Sequence, residues 1–362
     1  MKPSGLIYVI GQLRPGGQEQ QLCYLLSAMD RERYRPEVVV WSFREEEIHV
    51  ADLRALGVMV HAMEPGISPA RKLAQLAKLV RARAPDVVHS YCYFTNLPVW
   101  LATRGGRSVA MGSVRNDLRF SVAQLGDSLG RLSAVFPRWQ IHNSHRSAEQ
   151  ARAWPLAARS VVVLNGIDLA RFRVTPPPHG DCPQILAVGS LLPQKRWDRL
   201  LDIAQQLKRR NLRFHLRIVG DGPLRATLAE KARSLGLDGC VAFLGFSPHV
   251  ADLLAESAFL VHTSDAEGSP NAVMEAMSAG RAVVATDVGD VPRIVADGQH
   301  GFVVPANDPN AFALRMERLL RDPELCRRFG EAGRAHAQAE FSLERLVQGT
   351  LAAYREAGAV LS

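Results

Sequence analysis

The 362-residue chain has no apolar run near the ~20 residues a membrane-spanning helix needs; its longest, such as Leu6–Ile10 and Ala282–Ala285, are strand-length. The five residues of Leu6–Ile10 are too few for the core of a signal peptide, so a cytoplasmic protein is expected. The five cysteines (Cys23, Cys92, Cys182, Cys240, Cys326) form no Cys-x-x-Cys pair. Odd in number and dispersed, they argue against a disulfide framework or a zinc site. His142 and His145 would share a face if helical, but no third ligand stands near them. Asp-x-Asp, a pair that holds Mn²⁺ or Mg²⁺ in many transferases, occurs nowhere, and neither do Gly-x-Gly-x-x-Gly and the Walker loop. The last two absences lower the odds of dinucleotide or ATP chemistry. No aromatic–basic interleaving accompanies the pI near 9.5, so nucleic acid is not an expected partner.

What is present is a soluble composition, 47% hydrophobic and 22% charged, at a length suited to two domains. The net charge of +8 is uneven: residues 1–175 carry 23 Lys or Arg against 14 Asp or Glu, and residues 176–362 carry 21 against 22. Within the basic half, Pro69–Arg83 holds five basic residues and no acidic one. Leu73, Leu76, Ala77 and Val80 fall at helical spacing there, which puts Arg71, Lys72 and Lys78 on other faces. This is either a solvated amphipathic helix or a surface for anionic lipid or a phosphorylated acceptor.

Short Val/Ile/Leu runs alternate with helical patterns throughout. Strands are expected at Leu6–Ile10, Glu37–Trp41, Val58–Ala62, Val87–Ser90, Ser108–Ser113, Gln140–Asn143 and Ser160–Leu164. A second series runs Gln184–Val188, His215–Val219, Val241–Leu244, Phe259–Thr263, Ala282–Thr286 and Phe302–Val304. Nearly continuous apolar strands separated by helices predict parallel sheets covered on both faces. The fold class expected is therefore α/β, two doubly wound Rossmann-like domains facing a cleft. Residues 1–172 form the first and 184–342 the second, with a stiff connector at 173–183, where four prolines fall in eleven residues.

Three loops carry the chemistry. In Asp265–Gly280, Gly268 and Pro270 force a turn before a helix over Asn271–Ala279. A helix beginning there presents N–H groups and a positive dipole end to a diphosphate. The flanking carboxylates Glu267 and Glu275 suit the hydroxyls of a sugar and a ribose. After the strand Gln184–Val188, the loop Gly189–Arg196 places Lys195 to neutralise a diphosphate leaving group. After the first strand, Gly16 and Gly17 allow close backbone approach to a ligand.

Taken in order, Gly16-Gly17-x-Glu19, Asn165-Gly-Ile-Asp168 with Phe172, Gly189-x-Leu-x-x-x-Lys195, Gly220-Asp-Gly-Pro223 and Glu267-x7-Glu275 resemble the retaining glycosyltransferases of family 4, which have the GT-B fold. The resemblance extends from the first strand to about residue 345. It implies that Glu267 contacts the donor sugar and Glu275 the ribose, and that Lys195 holds the pyrophosphate with the available backbone N–H groups of the 269–273 turn and with Gly16 and Gly17, in a donor-binding stretch of Gly268, Ser269, Pro270, Asn271, Ala272 and Val273. It also implies a final helix, Leu343–Ala357, that carries residues 343–362 back to the first domain, and a metal-independent, front-face displacement with no cofactor. The expected partners are a nucleotide-sugar donor, UDP-linked on family frequency, and a glycan or lipid-linked acceptor of cell-surface polysaccharide or lipopolysaccharide synthesis. The work would be done at the inner face of the membrane.

Two positions depart from the family pattern. Ser190 stands where many members carry a pyrophosphate-binding Arg; either Arg196 compensates or Ser190 donates a weaker bond. Arg115, followed by Asn116 on the acceptor side, stands where many members have His. It cannot act as a base, and either clamps a phosphate or pairs with Asp117. A nucleotide-sugar epimerase of similar fold and a non-catalytic sugar-nucleotide binder are the alternatives. As a polar loop residue, Glu267 is expected to contribute little to stability.

Overall fold

The structure, a computed structural model, describes residues 3–154, 156–178 and 180–362. Met1, Lys2, Pro155 and His179 lie outside the described residues. Among the described residues, thirteen strands fall into two all-parallel sheets. The first contains β1 (Ser4–Ile10), β2 (Tyr34–Val40), β3 (Met59–Ala62), β4 (Val87–Ser90), β5 (Val109–Val114), β6 (Trp139–His142) and β7 (Arg159–Val162), in the order β3-β2-β1-β4-β5-β6-β7. The second contains β8 (Gln184–Val188), β9 (His215–Val219), β10 (Val241–Gly245), β11 (Phe259–His262), β12 (Ala282–Thr286) and β13 (Gly301–Val304), in the order β10-β9-β8-β11-β12-β13. Both sheets are doubly wound: the chain moves one way from the first strand of each, then returns to build the other side.

Side-chain alternation explains why the central strands are apolar at successive positions. In β1, Leu6, Tyr8 and Ile10 enter one core cluster, and Ile7 and Val9 the cluster on the opposite face. In β12, Ala282 and Val284 face one way, and Val283 and Ala285 the other.

The chain divides into two compact units, residues 1–166 with 343–362, and residues 167–342. The division lies ahead of the proline-rich segment expected as the connector. That segment belongs to the second unit because the fully buried Arg281 ties it down. The Arg281 guanidinium donates to the Thr175 carbonyl (2.7 Å) and hydroxyl (2.5 Å), and to the carbonyls of Leu254 and Ala255 (2.8 and 3.0 Å). In the first unit, Gln21 clamps both backbone groups of Gly166, accepting from its N–H at 2.9 Å and donating to its carbonyl at 2.7 Å.

Helix Leu343–Glu356 packs Leu346, Val347, Leu351 and Tyr354 into the same core cluster as Leu6 and Tyr8. The Tyr354 hydroxyl meets His89 Nδ1 at 2.7 Å and donates to the Tyr8 hydroxyl at 3.2 Å, while His89 Nε2 meets the Ser113 hydroxyl at 2.8 Å.

Helix Pro69–Arg83 starts at Ser68, whose hydroxyl accepts the Arg71 N–H at 3.4 Å, and ends at Ala84 in the left-handed conformation. Lys72, expected on a solvent face, is buried. It shares the stripe of Leu76 and Val80 at four-residue intervals, and its ammonium reaches the Trp41 carbonyl at 2.6 Å. Arg71, Lys78 and Arg81 remain exposed. His142 ends β6 and His145 opens the next helix, so the two share no helix face.

Tyr354→Phe leaves His89 Nδ1 and the Tyr8 hydroxyl short of a buried partner. It is expected to cost about 1–3 kcal/mol, measured as a fall of several degrees in the melting temperature of the first unit.

Candidate active site

The second sheet has its switch point between β8 and β11. The chain leaves β8 toward β9 and leaves β11 toward β12, so the loops diverge and open a crevice at the strands' carboxyl ends. Residues Gly189–Arg196 and Thr263–Pro270 flank that crevice. Across it, Lys195 Nζ donates to Glu267 Oε1 at 2.5 Å. The same oxygen accepts the Ser264 hydroxyl at 2.7 Å and meets His262 Nε2 at 3.0 Å. Oε2 has no partner among the described residues and is the acceptor left for a ligand hydroxyl.

Burial alone would raise the Glu267 pKa. The Lys195 charge, with the His262 hydrogen bond, outweighs it and holds the carboxyl well below the usual carboxylate range. Lys195 keeps two of its three ammonium donors for another group.

Each loop is braced by a glycine turn. A Cβ on Gly220 would lie 2.0 Å from the Gly189 carbonyl oxygen, and one on Gly222 2.7 Å from that of Leu191. This gives Gly220-Asp-Gly222 its role: the turn seats the Lys195 loop, with the Leu191 N–H donating to the Asp221 carbonyl at 2.9 Å. On the other side, Gly289 (φ +54°) lies against the carbonyls of Glu267 and Gly268, and the Asp290 N–H donates to Gly268 at 2.9 Å.

Helix Asn271–Ser278 follows Pro270, with no side chain capping its N-terminus, so Ala272 and Val273 sit in the first turn. Glu275, one turn further on, has no side-chain partner among the described residues. Burial, opposed by the Arg171 charge, pushes its carboxyl up to about 7.

Arg196, expected to compensate for Ser190, is paired with carboxylates of its own unit. Its guanidinium is held by Asp198 (3.1 Å) and Asp265 (2.8 Å), and Asp265 also pairs with Arg199. Ser190 is exposed, and its carbonyl accepts the Trp197 indole N–H at 2.9 Å. In the first unit, Gly16 precedes helix Gly17–Ser27, and a Cβ there would strike the carboxylate of Glu19, 2.2 Å away. Arg115 follows β5 and stacks on Tyr91. Its expected partner Asp117 instead caps helix Leu118–Leu125, accepting the Phe120 N–H at 2.9 Å, and accepts from Gln150 at 2.5 Å. Asn116 is taken up locally, accepting the Asp117 N–H at 2.8 Å.

Sequence spacing missed His262 and Ser264. Only their place, at and just past the end of the strand leading to Glu267, pointed to them. It also missed Cys23, His49 and Asp52, whose ligand atoms lie within 4.8 Å of one another. His49 there bonds Asp52 at 2.8 Å, and burial pushes the Cys23 thiol up to about 12, which disfavours the thiolate a metal would need.

The family model for glycosyl transferases group 1 matches residues 171–336, and that for glycosyltransferase family 4 matches residues 15–171. The chain belongs to the GT-B glycosyltransferases of the family 4 type. The α-D-kanosaminyltransferase of Streptomyces kanamyceticus is 27% identical over 317 residues, 84% of this chain and 79% of that one. WcaL of Escherichia coli, named for colanic acid biosynthesis, is 32% identical over 160 residues, 42% of this chain and 39% of the relative. The solved structure of Anabaena HepE with UDP and glucose matches at a TM-score of 0.84 and 19% identity, covering 98% of this chain and 100% of that one. Among the described residues no helix is long and apolar enough to cross a membrane.

Two outcomes follow from the carboxylates. Glu267→Ala strips Lys195, His262 and Ser264 of their shared acceptor, so the expectation of a negligible effect on the fold is replaced by a loss of about 1–3 kcal/mol, read by denaturant unfolding at pH 7. Glu275 has its folded pKa raised above the ordinary 4.5. Its contribution is therefore intact below pH ~4.5 and is lost as pH rises toward about 7. Glu275→Gln should raise stability at pH 8, on the order of 1–3 kcal/mol, with little gain at pH 4.5; equal gains at both would contradict the raised pKa.

Proposed function

We propose that this chain moves a sugar from a nucleotide diphosphate donor, UDP-linked, to a glycan or lipid-linked acceptor, with retention of anomeric configuration and without a divalent metal. The observation that carries the donor assignment is the ionised Glu267, fixed through one oxygen by Lys195, His262 and Ser264 with its other oxygen unpartnered. In this reading Oε2 accepts a hydroxyl of the donor sugar, and Glu275 accepts from the ribose. The diphosphate lies between Lys195 and the N–H groups of the Ser269–Val273 turn. As the glycosidic oxygen leaves, negative charge grows on the diphosphate, and the ammonium and helix dipole stabilise it where a metal would otherwise stand. The leaving phosphate oxygen takes the acceptor's proton on the same face of the sugar, so no general base is assigned.

The absence of Asp-x-Asp from the sequence supports the metal-free part. The UDP and glucose bound to HepE support the donor class at the level of the fold. The likeness to WcaL supports a role in surface polysaccharide synthesis. A cytoplasmic location at the membrane's inner face, with Arg71, Lys78 and Arg81 toward anionic lipid, belongs to the same proposal and rests on the basic first half.

Thermal-shift titration with UDP, GDP, ADP and CMP, each with and without EDTA, tests the donor reading. UDP should raise the melting temperature by several degrees, unchanged by EDTA, and Lys195→Ala should weaken its binding about 10- to 100-fold. No shift with any nucleotide at millimolar concentration would overturn the assignment, and a shift abolished by EDTA would overturn the metal-free mechanism.

A further inference from the structure

In the first unit a cation stands without a counter-charge. Arg115 is the first residue after β5, and its guanidinium carbon lies 3.9 Å from the centre of the Tyr91 ring, itself the first residue after β4. The Arg115 Nε and Nη1 atoms are buried and have no hydrogen-bond partner. No ion pair reaches Arg115 among the described residues, and Asp117 is committed elsewhere.

The groups facing it are neutral: Tyr91, Tyr8, Tyr354 and His89, the last kept uncharged by burial and by Arg115 itself. Two of its neighbours also lack partners. The Tyr91 hydroxyl is buried and unbonded, and so is Asn143 Oδ1, although Asn143 Nδ2 donates to the Arg115 carbonyl at 3.3 Å. Tyr91, Arg115 and Asn143 thus follow β4, β5 and β6 in turn, at the carboxyl ends of adjacent strands, where open parallel sheets bind ligands.

A guanidinium cannot shed its proton, so burying it without an anion is unfavourable and one ring face compensates only in part. We propose that Arg115, backed by Tyr91, binds an anionic group, phosphate or carboxylate, carried by the acceptor. The inference rests on the transferase reading and names its acceptor class. The planar fork meets two anion oxygens, the Tyr91 hydroxyl donates a third bond, and Asn143 Oδ1 accepts from a neighbouring acceptor hydroxyl.

The test is calorimetric titration of the full chain with inorganic phosphate and, separately, acetate, at constant ionic strength. Both run with and without a saturating nucleotide diphosphate, so that the diphosphate subsite is filled in one arm. One of the two anions should bind saturably with nucleotide present, and which one identifies the acceptor's anion as phosphate or carboxylate. Arg115→Ala should weaken that binding about 10-fold or more, Arg115→Lys should restore part of it, and Tyr91→Phe should weaken it several-fold. Nucleotide affinity should stay unchanged in all three. Saturation by neither anion, or equal binding by Arg115→Ala, overturns the proposal. So does a fall in nucleotide affinity in Arg115→Ala, which would give Arg115 to the donor. If the wild type binds no nucleotide, the donor reading fails, and the nucleotide-free arm still decides the anion site.

Discussion

The second unit is organised around a cation and a carboxylate held together at the one place where its sheet cannot close over itself. β8 and β11 pair over only two residue positions, Ile185 with Phe259 and Leu186 with Leu260, before their chains turn apart. The gap that follows would fill with water if nothing spanned it. Lys195 and Glu267 span it, and the ionised state of Glu267 depends on that contact. The surrounding features serve the same geometry. Gly220 and Gly222 set the Lys195 loop, Gly289 sets the Glu267 loop, and the Thr263 hydroxyl bonds the carbonyls of Lys195 and Arg196 at 3.1 and 3.3 Å, stitching one loop to the other.

The fold was legible because burial on both faces leaves the central parallel strands rich in Val, Ile and Leu. β4, β8, β9 and β12 begin and end where the sequence pattern placed them. The others shift by a few residues, as β2 does, where Tyr34 and Pro36 carry the strand earlier than the Val run announces. Lys195 and Glu267, read from the loops that follow two strands, are brought into contact by the structure, while Glu275 lies further on in helix Asn271–Ser278. What was not legible depends on partners distant in sequence. Lys72 looks solvent-facing until Trp41 supplies a carbonyl, and Arg196 looks available until Asp265 occupies it. The proline run reads as a stiff connector between domains until Arg281, distant in sequence, bonds Thr175 within it. Local chemistry identifies the groups, and tertiary contacts decide which of them are spent.

The stability of Glu267 shows the same dependence. Read as a loop residue it is dispensable; in the structure it is the common acceptor of three donors from three positions. An enzyme gains from such an arrangement because the carboxylate is oriented before substrate arrives, and little reorganisation is left for the reaction. One consequence is that deleting the side chain removes this bracing together with the proposed ligand contact.

The two units handle buried charge differently, although their sheets follow one plan. Around the second unit's switch point, Lys195, Arg196 and Arg199 each have a carboxylate partner. In the first unit, Arg115 rests on an aromatic ring with buried nitrogens unbonded. Stability alone would favour giving Arg115 an acid, and Asp117 stands two residues away to supply one. The structure instead commits Asp117 to a helix cap and a glutamine, and leaves the guanidinium facing tyrosines. A fold that leaves a permanent cation without an ion pair, while the nearby carboxylate is committed elsewhere, retains a binding capacity that an internal ion pair would cancel. The second unit's ion pairs fix its loops, and the first unit's missing one keeps a place for an anion from outside.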